Sequence, residues 1–308
     1  MMDKHPITNS HIGLYNLEPK VVNTAMMEVS SYHKSQGDEV GYYSPLFHDS
    51  YDRIYAFSIF DFTPKEYVTE DMITGGTGFN PAIKLPEEIE AASYDWSLYP
   101  DCDFSIQWYS RGCFRDCPFC VVPQKEGGIR PVEPKNLNPN GKYVKVTDNN
   151  FFANPEWRDA IKRLQALNQP VEFHQGIDLR ILTDEMVGAL QSLPRYKQIR
   201  FAWDNPREDL RPKIRWLTER IRPYKLMCYV LIGYWSTPDE DLYRVEELRK
   251  LGVDPFVMPY DKHNPYQADF ARWVNFKAIW KSVPWSEYKV RYRRRRIGGG
   301  WPPNTSHP

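Results

Sequence analysis

Short apolar segments recur at regular intervals through the second part of the chain, and this regularity constrains the fold more than any other feature. Six such segments occupy residues 105–110, 143–148, 171–176, 199–204, 226–234 and 255–260. Short apolar runs that alternate with helical stretches are typical of buried parallel strands. We therefore predict an α/β fold in which six βα repeats form a partial (β/α)6 barrel, with functional residues at the carboxyl ends of the strands.

Two of the intervening helices have clear starting signals. A capping residue is followed by proline at residues 154–155 and again at residues 237–238. This order is typical of helix starts. We predict helices whose inner faces carry Trp157, Ile161 and Leu164 in the first case and Leu242, Val245 and Leu248 in the second.

The first hundred residues also alternate strand and helix. Strands are predicted at residues 11–15, 39–44, 53–60 and 71–76, and a helix is predicted at residues 19–36, with Val22, Ala25, Met26 and Val29 on one face. A stretch rich in Pro, Asp and Tyr at residues 85–103 resembles a connector. We predict a small doubly wound α/β domain at 1–100, the barrel at 101–265, and a C-terminal helix with a basic tail at 266–308.

The composition excludes several classes of protein. Forty Lys and Arg balance forty Asp and Glu, so no global field attracts nucleic acid or an anionic membrane. The chain contains no apolar run that could cross a bilayer, and its N-terminus lacks the apolar stretch of a signal peptide. Five cysteines, three of them within eight residues, favour metal ligation in a reducing compartment over a disulfide framework. We expect a cytoplasmic protein.

Three cysteines follow the first predicted barrel strand. Cys113 and Cys117 are separated by three residues, and Cys117 and Cys120 by two. If three thiolates hold a 4Fe-4S cluster, one of the four irons is left without a protein ligand and can chelate a small molecule. A structural zinc site is the alternative, but it needs a fourth ligand. Cys102 precedes the strand, and Cys228 lies in an apolar strand where a buried core thiol is expected.

This spacing, with the aromatic Phe119 just before the last cysteine, resembles the radical S-adenosylmethionine (SAM) superfamily over residues 104–262. The resemblance implies that the open iron binds the amino and carboxylate groups of SAM. It also implies that an electron from the cluster cleaves SAM to a 5′-deoxyadenosyl radical. The cofactor carries the hard chemistry, while the protein positions and shields the radical. A flavodoxin or ferredoxin is the implied electron donor.

Polar residues and glycine at the ends of the later strands are the candidates for binding SAM. Residues 147–150 stand where the family has a short motif, often Gly-Gly-Glu, for the SAM amino group, but here the glycines are replaced. Helix capping is the alternative for these residues. The resemblance suggests an arginine pairing with the SAM carboxylate beyond the third strand, an aspartate facing the ribose or substrate after the fourth, and glycine and methionine beside the adenine. The candidates at the strand ends are Asp148, Asn149, Asn150, Gln175, Asp178, Arg180, Asp204, Gly233 and Met258, and Phe119 beside the last cysteine is a further candidate for binding the cofactor.

Three of these candidates have plain structural alternatives. Arg180 could form an ordinary ion pair, Asp204 could cap a helix, and Met258 could belong to the core. His174 is expected to be an interior or rim histidine first and an acid–base residue second.

An α/β domain before such a barrel resembles the cobalamin-binding or cobalamin-like domain of several branches of the superfamily, with residues 75–78 as a glycine-rich loop. The Asp-x-His-x-x-Gly motif that supplies a histidine ligand to cobalt is absent, which argues against cobalamin bound in that mode. We favour a degenerate domain that shapes the substrate cleft. Methylthiotransferases carry cysteines for a second cluster in this domain. Residues 1–101 contain no cysteine, which argues against a second cluster and against that activity.

The tail contains five arginines in six positions, Arg291 and Arg293 to Arg296. Such a run could bind a phosphate backbone, but a solvated tail is the favoured interpretation. Taken together, the sequence predicts a radical SAM enzyme that cleaves SAM and modifies an unidentified substrate. The alternatives are a cobalamin-dependent radical SAM methyltransferase and a non-catalytic nucleic-acid-binding protein with a structural metal site.

Overall fold

The computed structural model describes residues 9–288, so the arginine run at 291–296 lies outside the described residues. The chain divides into two units: residues up to 175 together with 188–196, and residues 176–187 together with those from 197 on. This division differs from the boundaries drawn on the sequence at 100/101 and 265/266, which stay a prediction. Each unit is described by itself.

The first unit begins with a parallel sheet of four strands in the order β2-β1-β3-β4. These strands are β1 (His11–Asn16), β2 (Glu39–Tyr42), β3 (Arg53–Phe57) and β4 (Ile73–Gly75). All four are found where strands were predicted. Three of them, β2, β3 and β4, end earlier than predicted.

One helix, α1 (Thr24–Ser35), connects β1 to β2 and covers one face of this sheet. It begins later than predicted because the Asn23 side chain accepts a hydrogen bond from the Met26 N–H and caps it there. The opposite face is covered by loop residues such as Tyr43, Val68 and Phe79. A doubly wound domain would have a helix there, but the proline-containing segment that follows β3 does not form one.

The predicted connector at residues 85–103 is short of regular structure but well packed. It contains only a four-residue helix, α2 (Glu87–Glu90), and one short 3₁₀ turn. Tyr94, Trp96 and Leu98 are buried in the core that α1 forms with its sheet. Its aromatic side chains therefore join it to the first unit through ordinary apolar burial.

A second parallel sheet of the first unit has the order β5-β8-β9. Its strands are β5 (Phe104–Gln107), β8 (Tyr143–Val146) and β9 (Val171–Phe173). The chain between β5 and β8 forms the antiparallel pair β6 (Ser110–Arg111) and β7 (Arg130–Pro131) and the helix α3 (Val122–Glu126). Helix α4 (Trp157–Leu167) connects β8 to β9 and buries its predicted apolar face.

The sheet of the second unit is parallel as well, in the order β10-β11-β12. Its strands are β10 (Ile199–Ala202), β11 (Leu226–Ile232) and β12 (Asp254–Pro259). From residue 184 on, the chain forms the helices α5 (Asp184–Ser192), which spans both units, α6 (Arg211–Thr218), α7 (Pro238–Lys250), α8 (Pro265–Asn275) and α9 (Lys277–Ser282), and residues 285–288 are helical as well. The predicted start of α7 is confirmed, since Thr237 and Glu240 form a reciprocal capping box.

The structure is therefore of the mixed α/β class with parallel sheets, as predicted. All six predicted barrel strands are present, three in each unit. Within residues 9–288, no helix is long and apolar enough to span a membrane. The arrangement of these six strands as a partial (β/α)6 barrel of the radical SAM type stays a prediction.

Candidate functional site

The three clustered cysteines lie on one loop, residues 112–129, which we call the cysteine loop. It is closed at its base by the antiparallel pairing of β6 with β7. Cys113, Cys117 and Cys120 are each partly exposed, as is Phe119. Because the loop follows the carboxyl end of β5 in a parallel sheet, the thiols are carried at the edge where such sheets bind ligands.

An ion pair between the partly exposed Arg111 and the buried Glu126 holds the two ends of the cysteine loop together. The Arg111 guanidinium donates from Nε and Nη2 to the two carboxylate oxygens of Glu126, both at 2.9 Å. Arg111 also stacks over the Trp108 ring at 4.0 Å, and the Glu126 carbonyl accepts a bond of 2.7 Å from Arg130. Such bidentate pairs fix geometry as well as charge, so the base of the loop is rigid.

Gly112 starts the cysteine loop in a conformation that requires glycine. Its φ is +81°, and a Cβ atom there would lie 2.2 Å from the Gly128 carbonyl oxygen. This close approach allows the Cys113 N–H to donate to the Gly127 carbonyl at 3.2 Å. The first cysteine is thus fixed in position by the backbone.

Asp148, at the end of β8, holds the strand that leads into the cysteine loop. Its carboxylate accepts the Tyr109 N–H at 3.0 Å and the Ser110 hydroxyl at 2.6 Å. Burial raises the pKa of Asp148 to about 6, although these hydrogen bonds act in the opposite direction. The carboxylate therefore acts as an internal clamp between β8 and the start of the loop.

The next two residues extend this clamp to the first cysteine. Asn149 Oδ1 accepts the Gly112 N–H at 3.1 Å, and Asn150 Nδ2 donates to Cys113 Sγ at 3.6 Å. Asn150 stands at the start of a 3₁₀ turn, but its side chain does not cap that turn. The sequence did not predict that Asn149 and Asn150 hold the cysteine loop, because these contacts join residues almost forty positions apart in the chain. The role of these residues in binding SAM stays a prediction.

Backbone N–H groups point at the sulfur atoms of Cys113 and Cys120. The Arg115 N–H lies 3.4 Å from Cys113 Sγ, and the Val122 N–H lies 3.5 Å from Cys120 Sγ. N–H groups directed at cysteine sulfur stabilise the thiolate form that ligates iron, and they tune iron–sulfur centres.

The donor set of the loop suits an iron–sulfur cluster. Among residues 9–288 there is no group of three His, Cys, Asp or Glu side chains arranged to share one metal ion. Three thiolates on one loop are the number of protein ligands that a 4Fe-4S cluster with one open iron would have.

The glycine-rich loop of the first sheet contacts the cysteine loop. Lys125 in α3 donates to the Thr77 hydroxyl at 3.0 Å, and burial lowers the pKa of this lysine. A Cβ at Gly76 would lie 2.3 Å from the Ser58 carbonyl, and one at Gly78 would lie 2.4 Å from the Phe60 carbonyl. Close packing against the chain that follows β3 thus accounts for Gly76 and Gly78, whereas an added Cβ at Gly75 would meet nothing within 4 Å.

A cavity of about 580 Å³ opens at the carboxyl ends of β1 and β2. Its walls include Tyr15, Tyr43 and Tyr99, with the ammonium of Lys20 and the carboxylate of Asp101 at exposed positions. Crevices at the carboxyl edge of open parallel sheets are the usual ligand sites of such domains. Whether this domain binds a ligand was left open by the sequence, and the predicted degenerate role stays a prediction.

Two polar residues follow β9 at the same edge as the cysteine loop. Gln175 is exposed, and so is His174, whose Nδ1 lies 3.4 Å from a carboxylate oxygen of the buried Glu172. His174 is therefore a rim histidine, as predicted, beside a carboxylate that is held away from water.

The other candidate residues belong to the second unit. Arg180 donates to Glu208 at 2.6 Å and approaches Asp178 at 3.4 Å, which is the ion-pair alternative that its sequence position left open. Asp204 accepts the Leu231 N–H at 3.2 Å, and burial raises the pKa of its carboxyl. The side chain of Asp204 thus joins β10 to β11 at their carboxyl ends.

Gly233 follows β11 with a φ of +81°, and a Cβ there would lie 2.0 Å from Gln267 Nε2. The structure thus shows a close approach of a side chain of α8 at this glycine. The predicted close approach of the SAM adenine to Gly233 stays a prediction. Met258 is partly buried on β12 and pairs in register with Leu231. Cys228 is fully buried, so the predicted core thiol is confirmed.

Sequence reasoning missed a buried ion pair in the second unit. The Arg244 guanidinium lies 2.7 Å from the Asp241 carboxylate, and both side chains are almost completely buried. Arg244 also donates to the carbonyls of Trp203 and Leu231, at 2.8 and 3.0 Å, which ties the ends of β10 and β11 to α7. The sequence did contain a signal for this pair, because residues 241, 244, 245 and 248 share one face of the predicted helix. The predicted apolar face named Leu242 instead, which is only partly buried.

No family model matches the chain, and no curated protein matches it.

Proposed function

We propose that this chain is a radical SAM enzyme, with Cys113, Cys117 and Cys120 as the ligands of a 4Fe-4S cluster. The observation that carries the proposal is the cysteine loop itself. Three thiols stand on one loop at the carboxyl edge of a parallel sheet, and that loop is braced at its base and supplied with N–H donors to sulfur. A loop that exists to present three thiolates to a bound group needs this rigidity.

The bound cluster would supply one electron that breaks a carbon–sulfur bond of SAM, giving methionine and a 5′-deoxyadenosyl radical that takes a hydrogen atom from the substrate. The residues of the chain hold and orient these groups. Asp148, Asn149 and Asn150 fix the first cysteine, and Arg111 with Glu126 closes the loop. A small electron-transfer protein such as a flavodoxin or ferredoxin would supply the electron.

The finer parts of the proposal follow from the resemblance in sequence. The six strands would form a partial (β/α)6 barrel, and Gln175, Asp178, Arg180, Asp204, Gly233 and Met258 would contribute to the SAM site. A reducing compartment such as the cytoplasm suits an exposed iron–sulfur loop. The substrate is an unidentified molecule, and its chemistry is left open.

The test is anaerobic reconstitution with iron and sulfide, followed by SAM and dithionite. About four irons per chain and the formation of 5′-deoxyadenosine are expected. Cys117→Ala should abolish both iron binding and the formation of 5′-deoxyadenosine. Cys102→Ala should leave both unchanged, because Cys102 lies before β5 and its thiol donates a hydrogen bond to the Phe104 carbonyl.

Each alternative has its own outcome in this experiment. Four irons without SAM cleavage would contradict the catalytic proposal, and zinc in place of iron would favour a protein with a structural metal site. Cobalamin retained by the protein, seen by its visible absorption, would favour a methyltransferase. Failure to bind cobalamin under reconstitution would exclude the methyltransferase.

A further inference from the structure

Asn150 stands out among the polar residues near the cysteine loop because its side-chain amide faces a cysteine sulfur. The distance from Asn150 Nδ2 to Cys113 Sγ is 3.6 Å, within the range of an N–H···S hydrogen bond. The residue is only 3% exposed, so little water competes for this contact. Hydrogen bonds in such an environment are stronger than at the surface.

The position of Asn150 is fixed by its neighbours in sequence. Asp148 clamps the start of the loop, Asn149 accepts the Gly112 N–H, and Phe151 directly after Asn150 is buried. These contacts hold the backbone that carries the Asn150 amide beside Cys113.

A donor to a ligand sulfur changes the reduction potential of an iron–sulfur cluster. One-electron reduction adds negative charge that is shared by iron and sulfur, so an N–H donor is attracted more strongly by the reduced form than by the oxidised form. The donor therefore raises the midpoint potential.

We propose that Asn150 is a positioning residue that sets the reduction potential of the cluster through its amide hydrogen bond to Cys113. This inference rests on the proposed function, because it requires a cluster at the three cysteines. The low-potential reductant is a flavodoxin or ferredoxin in the cell and dithionite in the test. The role differs from the SAM contact that the sequence resemblance suggested for this position.

The chain offers a closely matched control. Asn154 lies four residues further on, is 1% exposed, and donates its side-chain amide to the Tyr109 carbonyl at 3.0 Å. Replacing Asn154 removes a buried amide next to the same loop without removing a donor to sulfur. Any general effect of loosened packing should therefore be visible in Asn154→Ala as well.

The experiment is a redox titration of the reconstituted protein, with the reduced cluster followed by electron paramagnetic resonance. Asn150→Ala should lower the midpoint potential, so that the ratio of reduced to oxidised cluster at a fixed solution potential falls by up to about tenfold, equivalent to about 59 mV for one electron. Asn150→Asp, which keeps the shape and replaces the donor by a negative charge, should lower it at least as much. Asn154→Ala should titrate like the wild type.

The outcomes separate this inference from the proposed function. If the wild type cleaves SAM but neither Asn150 variant changes the potential, or if Asn154→Ala shifts it equally, the inference is overturned and the function stands. If the potential shifts as expected but the wild type does not cleave SAM, the function fails and the inference stands. If the wild type binds no cluster, both are contradicted. Should Asn150→Ala take up no cluster, the near-isosteric Asn150→Asp decides the result.

Discussion

At the scale of single residues, the cysteine loop depends on a glycine that no other residue can replace without strain. Gly112→Ala would place a methyl group 2.2 Å from the Gly128 carbonyl in a backbone conformation with φ of +81°. We expect a loss of about 1–3 kcal/mol in the free energy of unfolding and a lower iron content after reconstitution. Calorimetry or urea unfolding and an iron assay measure these two effects.

The control for this prediction is Gly128→Ala, where an added Cβ meets nothing within 4 Å. It should bind iron like the wild type. Equal behaviour of the two variants would contradict the role given to Gly112.

Asp148 should make the free energy of unfolding depend on pH, and the sign of this dependence follows from the raised pKa of its carboxyl. Burial raises the pKa of this carboxyl from its usual 3.8 to about 6, so the folded state binds the proton more tightly than the unfolded state between these values. The contribution of Asp148 to stability is thus largest at low pH and falls as the pH rises through this window, by up to about 3 kcal/mol. Well above the folded pKa, from about pH 7, this contribution should be constant.

Asp148→Asn removes the titrating carboxyl and keeps the shape of the side chain. Urea unfolding of both proteins at a series of pH values should show the wild type losing stability relative to Asp148→Asn between about pH 4 and 6. A difference that stays constant across this range would show that Asp148 is not the buried acid described.

At the scale of elements, α7 is tied to its sheet by the buried pair of Arg244 and Asp241. Arg244→Met would leave the Asp241 carboxylate buried beside the Tyr266 hydroxyl, 2.9 Å away, without its cation. We expect a loss of about 3–5 kcal/mol in the free energy of unfolding, because breaking a buried pair leaves an uncompensated charge. Denaturant unfolding measures it.

The same helix supplies the control for this substitution. Lys250 and Glu247 form a pair of the same spacing at 2.6 Å, but the lysine side chain is 70% exposed. Lys250→Met should cost less than about 1 kcal/mol. If the two substitutions cost the same, the buried pair contributes no more to stability than a surface pair.

Local sequence patterns were sufficient to find the elements of this fold but less reliable at their ends. Apolar runs located β8 and β11, and the Thr237-Pro238 signal located the start of α7. The predicted strand at 105–110 was too long, since the sheet strand ends at Gln107 and Ser110 pairs instead with Pro131. Pairing across twenty residues has no periodic signature in the sequence, and neither does the packing that shortens a strand.

The candidate site shows the same division between local and distant information. Cysteine spacing located the loop, because three thiols within eight residues are a local pattern. The clamp from Asp148 to Tyr109 and the pair of Arg111 with Glu126 could not be inferred, because each joins residues whose separation is set by the tertiary fold. The sequence thus predicts which residues would carry the chemistry, and the structure shows which residues hold the cysteine loop in place.

At the scale of the whole molecule, the central claim is that three cysteines hold a 4Fe-4S cluster with one open iron. The most direct measurement is the electron paramagnetic resonance spectrum of the dithionite-reduced protein before and after addition of SAM. An open iron that chelates SAM predicts a reduced-cluster signal that changes when SAM is added, in the wild type and in the Cys102→Ala control, and no such signal in Cys117→Ala. A reduced-cluster signal that SAM leaves unchanged would contradict the account.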